Sequence, residues 1–139
     1  MTPILLDTGV VVALLDRDER HHRQCRDLVG RLKQPLVTCE AVIAESCYLL
    51  RNLRGAADTV IENVARGIFQ IPFQLTQSAS QVLTALRKYH DVPAAFADAC
   101  LIQLAEQLNT GDILTLDGDF ALYRWNRTRP FRLLVSLTS

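Results

Sequence analysis

Four acidic side chains stand inside apolar stretches that lie far apart in this chain. Asp7 closes the run Ile4-Leu5-Leu6, and Asp117 closes Ile113-Leu114-Thr115-Leu116. Glu45 sits between Ala41-Val42-Ile43-Ala44 and Cys47-Tyr48-Leu49-Leu50. Asp98 sits between Ala94-Ala95-Phe96-Ala97 and Ala99-Cys100-Leu101-Ile102. A carboxylate is seldom buried unless it is paired or binds a metal. None of these segments offers a Lys or Arg at helical spacing from its acid. A fold that tolerates all four must therefore gather them, most simply around a divalent cation.

The rest of the pattern says how they are gathered. Short apolar runs alternate with longer helical ones. Residues 4–7, 36–38, 112–116 and 131–135 read as strands, and 70–75, with Pro72 inside it, as an edge strand. Thr8 is positioned to cap a helix running to Leu15. Residues 19–34 read as an exposed amphipathic helix with Cys25, Leu28, Val29 and Leu32 as its stripe, ended by Pro35. Helices follow over about 40–53, 56–69, 77–90 and 94–108, the last two separated at Val92-Pro93, and a short helix follows Asp117. Strands alternating with helices predict an α/β fold, a central mainly parallel sheet flanked by helices in three layers. The 139 residues are expected to form a single domain spanning 1–139.

In open parallel sheets ligands bind beyond the carboxyl ends of the strands. Asp7 and Asp117 end predicted strands. Glu45 and Asp98 fall in the second turns of helices, and helix starts lie on the same side as strand ends. All four thus converge on one crevice. Oxygen donors of this kind select hard cations, Mg²⁺ or Mn²⁺, and zinc is disfavoured because the four donors include no Cys or His. The acids differ in weight when taken singly. Asp7 also suits a helix cap, and Asp117-Gly118-Asp119-Phe120 is also an ordinary turn, in which Asp119 is either a turn residue or a further ligand. Glu45 and Asp98 have only apolar or aromatic residues three and four positions away, which argues against simple solvated helix positions.

Other classes fall away. No run of about 18 apolar residues exists to span a membrane, and Met1-Thr2-Pro3-Ile4 lacks the marks of a signal peptide, so a cytoplasmic protein is the default. Cys25, Cys39, Cys47 and Cys100 show no zinc or C-x-x-C spacing and are expected to be reduced, with Cys47 and Cys100 as core residues. The net charge of zero leaves nucleic acid open, because binding depends on local patches. Asp7-Thr8-Gly9 matches the triplet of aspartic proteases, but those are all-β and this chain reads as mostly helical. An aspartate-nucleophile phosphatase would want a second Asp where Gly9 stands.

The four motifs, in this order and spacing, resemble the PIN-domain family and are most similar to the VapC-type toxins of toxin–antitoxin pairs. The matching stretches are Ile4-Leu5-Leu6-Asp7-Thr8, Ala41-Val42-Ile43-Ala44-Glu45, Ala97-Asp98-Ala99-Cys100-Leu101 and Leu114-Thr115-Leu116-Asp117-Gly118-Asp119-Phe120. The resemblance covers essentially the whole chain. It implies a PIN-like fold and an endoribonuclease in which Asp7, Asp98, Asp117 and Glu45 serve Mg²⁺ or Mn²⁺, with Thr8 and Thr115 beside the metal. It also implies an RNA substrate, a neutralising antitoxin and a homodimer. The chain departs from the commonest pattern in having Gln103-Leu104-Ala105-Glu106 after Asp98 and no basic residue directly before it. That difference bears on substrate contacts more than on the metal site.

Such a site supports in-line attack of water on a phosphodiester, with one or two ions. RNA also needs positive charge. The candidates are Arg124, Arg127, Arg129 and Arg132 near the end of the chain, and Arg51 and Arg54 after the Glu45 helix. The exposed helix carrying His21-His22 and the arginines from Arg17 to Arg31 could dock the antitoxin or a second copy, as could the apolar pattern of 56–69. Adjacent histidines point to different helix faces and make a poor metal pair.

Overall fold

In the computed structural model, which describes residues 1–91 and 95–136, the apolar runs become five parallel strands. They are β1 (Ile4–Leu6), β2 (Leu36–Val37), β3 (Phe69–Gln70), β4 (Asp112–Leu114) and β7 (Arg132–Leu133), in the order β3-β2-β1-β4-β7. Strand β1 lies at the centre, with Leu5 opposite Val37 on one side and Ile113 on the other. Its three residues are buried, as a strand covered on both faces requires. The connecting helices are α1 (Thr8–Leu15), α2 (His22–Arg31), α3 (Glu40–Leu49), α4 (Ala56–Ala65), α5 (Leu75–Lys88) and α6 (Phe96–Leu108). A short hairpin, β5 (Arg124–Trp125) and β6 (Arg129–Pro130), precedes β7.

The strand order positions the site. The chain runs outward from β1 to β2 to β3, then returns to lay β4 on the other side of β1. The direction of winding reverses between β1 and β4, and crevices open at such switch points. Asp7 follows β1 and Asp117 lies three residues beyond β4, so the two acids flank that crevice.

The expected α/β sheet is present, with shifted boundaries. Helix α4 stops at Ala65 because Gly67 adopts φ 76° and the Ile68 N–H closes back on the Asn63 carbonyl at 2.9 Å. The edge strand consequently begins at Phe69 and ends before Pro72. Helix α1 is capped by Asp7, whose Oδ1 accepts the Thr8 N–H at 2.8 Å, and Thr8 is its first residue. The hairpin went unforeseen because its loop holds no glycine; Asn126 and Arg127 take the left-handed conformation at φ 47° and 71°. The Trp125 indole lies against Gly111, where a Cβ would collide with it, and donates to the Pro130 carbonyl at 3.2 Å. The break placed at Val92-Pro93 lies outside the described residues. Among the described residues no helix is long and apolar enough to cross a membrane.

Candidate metal centre

One carboxylate oxygen each from Asp7, Asp98 and Asp117 lie within 4.8 Å of one another. Asp7 is 6 % exposed and Asp98 8 %, while Asp117 is more open. No Lys or Arg pairs with any of them among the described residues. Three carboxylates from residues 7, 98 and 117 thus share a cleft of about 300 Å³ that also includes Thr8, Glu45, Leu49 and Leu116 in its walls.

Each acid is held by a specific partner. The Thr115 hydroxyl donates to Asp7 Oδ2 at 2.7 Å and accepts the Asp117 N–H at 2.9 Å, so one side chain fixes both strand-end acids. Asp117 Oδ1 accepts the Asp119 N–H at 2.9 Å. Asp98 lies in the first turn of α6, and its Oδ2 accepts the Tyr123 hydroxyl at 3.0 Å. Tyr123 is wholly buried, with edge-to-face contacts to Tyr89 and Phe120 at 4.9 and 5.0 Å between centroids. Its rotamer is therefore set by packing, and with it the direction of the hydroxyl.

The proton affinities follow from burial and crowding. Burial pushes the Asp98 carboxyl up to about 7, helped by the charges of Asp7, Asp117 and Glu45 and opposed by the Tyr123 hydrogen bond. Asp7 is also raised, first by burial, with the Thr115 and Thr8 hydrogen bonds pulling the other way. The Tyr123 hydroxyl is raised by burial and by the adjacent Asp98, so it stays protonated and able to donate.

The residues present fit a hard divalent cation. The donors are all oxygen, uncompensated by any basic side chain. The Thr8 hydroxyl is buried, lines the same cleft, and is the single buried side-chain polar atom without a hydrogen-bond partner among the described residues. Such orphans are rare and point to a water or ion as the partner.

Not every anticipated residue joins the cluster. Glu45 lines the cleft but is exposed and lies outside the group of three. Asp119 contributes its backbone N–H to Asp117, and its carboxylate is not among the clustered oxygens. Four of the six arginines have partners of their own. Arg132 forms two hydrogen bonds of 2.9 Å to Asp112, Arg129 lies over the Trp125 ring, and Arg51 lies 4.0 Å from the Tyr48 ring centroid. Arg124 donates to the carbonyls of Ala121 and Tyr123 at 3.0 and 2.9 Å. Tyr123 itself escaped notice, since a lone tyrosine after a turn forms no periodic pattern. Its pairing with Asp98 arises only when the chain after β4 folds back on α6.

The chain and its fold have relatives among known proteins. Residues 4–126 match the model for the PIN domain. The chain is 28 % identical over 116 residues to Ribonuclease VapC26 of Mycobacterium tuberculosis, covering 82 % of this chain and 86 % of that one. The crystal structure of Mycobacterium tuberculosis VapC20, described as a sarcin-ricin loop cleaving toxin, superposes with a TM-score of 0.80 at 20 % identity. That alignment covers 91 % of this chain and 99 % of VapC20. A parallel sheet with acids gathered at its switch point, and a family match over nearly the whole length, make this chain a member of the PIN-domain family, similar to its VapC-type proteins.

Proposed function

We propose that the protein is a Mg²⁺- or Mn²⁺-dependent endoribonuclease, the toxin of a type II toxin–antitoxin pair acting in the cytoplasm. The observation that carries the reading is the convergence of Asp7, Asp98 and Asp117 without a compensating base. The orphaned Thr8 hydroxyl and the likeness to a ribonuclease support it.

In this reading Asp7, Asp98 and Asp117 hold the cation. A bound divalent ion supplies charge neutralisation at the scissile phosphate and activation of water. Glu45, exposed in the lining of the same cleft, orients the attacking water and accepts its proton. Thr115 holds Asp7 in place, Tyr123 holds Asp98, and Thr8 offers its hydroxyl to the water network. Arg54 and Arg127, exposed and without side-chain partners among the described residues, are available to the RNA backbone. Exposed Tyr48, Leu49, Leu53 and Ile61 on and beside α3 and α4 offer an apolar surface to an antitoxin or a second copy.

Two tests bear on this. Purified protein should cleave RNA with Mn²⁺ and stop on addition of EDTA, and its expression alone should arrest bacterial growth. Cleavage unaffected by EDTA would refute the metal site. An active enzyme that leaves growth untouched would make it an RNA-processing nuclease instead.

Tyr123→Phe isolates the support of the site. The ring packing survives and the hydroxyl bond to Asp98 is lost. Such outer-shell changes cost about 10–100-fold in metal affinity. A Mn²⁺ titration of the variant should show that loss with unchanged circular dichroism; wild-type affinity would remove Tyr123 from the site.

A further inference from the structure

A second cleft, of about 740 Å³, opens at the far end of α1. Four arginines line it: Arg17, Arg20, Arg23 and Arg26. They are spaced three residues apart through the α1–α2 corner and into α2, and all are exposed. Glu19 is the one acid in its wall, and its Oε2 already accepts the His21 N–H at 2.6 Å. Arg26 reaches Asp27 at 3.4 Å in an exposed contact. Among the described residues Arg17, Arg20 and Arg23 have no ion pair and no side-chain hydrogen bond. These three guanidinium groups outnumber the single acid in the cleft and are left unpaired in the free protein.

We propose that this cluster grips the phosphodiester backbone of the RNA beside the cleavage site. The proposal rests on the ribonuclease reading above and adds where the substrate is held. Three features favour it. The chain carries no net charge, so a polyanion must be met by a local concentration of positive charge. Guanidinium forks match phosphate oxygens bidentately. One helix also joins the two clefts: Thr8, the first residue of α1, lines the acid cleft, and Leu14, near its end, lines the arginine cleft. Six helical steps at about 1.5 Å each place those two residues roughly 9 Å apart along the axis of α1.

Arg17 also lines a neighbouring cleft with Arg54 of the α3–α4 connection. That neighbouring cleft also holds Asp16 and Asp18, so the excess of positive charge is confined to the arginine cleft itself. The basic group on the other flank is less available, because Arg124 there is committed to backbone carbonyls. A protein segment is the poorer occupant of the arginine cleft. Leu14 is the single apolar side chain in its lining, and peptide docking needs apolar anchors.

The test is RNA binding in EDTA, where cleavage is off, with a labelled single-stranded RNA and full-length protein at several salt concentrations. The variants are Arg17→Gln/Arg20→Gln/Arg23→Gln, the same three positions changed to Lys, and Arg66→Gln as a surface control. Each lost phosphate contact should lower the slope of log affinity against log salt by roughly 0.7, so the Gln triple variant should lose about 2 and bind at least about tenfold more weakly. The Lys triple variant should keep most of the slope, and Arg66→Gln should match wild type. Wild-type affinity and slope in the Gln variant, or no RNA binding by wild type, overturns the proposal. If that variant instead loses binding to poly-glutamate while RNA binding is unchanged, the cluster serves an acidic polypeptide and the proposal also fails. Cleavage by wild type with Mn²⁺, run alongside, reports separately on the nuclease reading.

Discussion

Asp98→Asn is expected to abolish Mn²⁺-dependent RNA cleavage while leaving the fold intact. The amide has the shape of the carboxylate and keeps an oxygen to accept the Tyr123 hydroxyl. It cannot carry the negative charge that a hard cation selects. The loss should exceed the roughly 10–100-fold typical of outer-shell changes, because a direct ligand is removed. Asp7→Asn should be equally inactive but less stable, since Asp7 also caps α1 and accepts from Thr115. Asp98 is therefore the cleaner test. Its carboxyl, raised to about 7, adds a pH signature. Protons compete with metal for that oxygen, so at limiting Mn²⁺ cleavage should climb as pH passes through 7 and flatten once the group is ionised. Saturating Mn²⁺ should move the rise to lower pH. Near-wild-type cleavage by both Asn variants would rule out the site.

The second large effect is on stability. Without metal the three carboxylates repel, and two of them are buried. Asp98 has a folded pKa of about 7 against an ordinary value of 3.8, so the folded state binds more protons than the unfolded state between those values. Its stabilising contribution is complete below about 3.8 and is lost as pH rises towards and through 7; Asp7 shifts in the same direction. Metal-free protein should therefore melt at a lower temperature at pH 8 than at pH 6. Asp98→Asn or Asp117→Asn should raise the melting temperature in EDTA. Excess Mn²⁺ should stabilise wild type by about 2.7 kcal/mol at 100 times its dissociation constant. That corresponds to roughly 10 °C for a chain of this size. The variants should gain much less. Thermal melts with EDTA and with Mn²⁺ would check this, and equal gains in all proteins would separate the acids from metal binding.

Both effects arise from features legible in the sequence to different degrees. Asp7, Asp98 and Asp117 stood out because each interrupts an apolar segment, and burial of charge is the constraint a fold must answer. The parallel sheet was legible for the same reason, since β1 is wholly apolar and β4 is apolar after Asp112. Glu45 obeyed the same sequence rule yet is exposed, because α3 turns that face towards an open cleft. Apolar neighbours along a helix do not guarantee a neighbouring element to cover them. The hairpin at 124–130 escaped because residues other than glycine adopt its left-handed turn. The arginines divided by tertiary context that spacing does not encode: Arg132 found Asp112 only because β7 pairs with β4. Tyr123 and the Arg17–Arg26 cleft depend likewise on contacts between distant segments.

Three carboxylates from distant segments, Asp7, Asp98 and Asp117, are expected to form one cation site. Crystals soaked in Mn²⁺ and measured for anomalous scattering test it most directly. A manganese peak bonded to oxygens of Asp7, Asp98 and Asp117 is expected, absent from Asp98→Asn crystals treated identically. An empty cleft in wild-type crystals under saturating Mn²⁺, or a peak that persists unchanged in the variant, would contradict it.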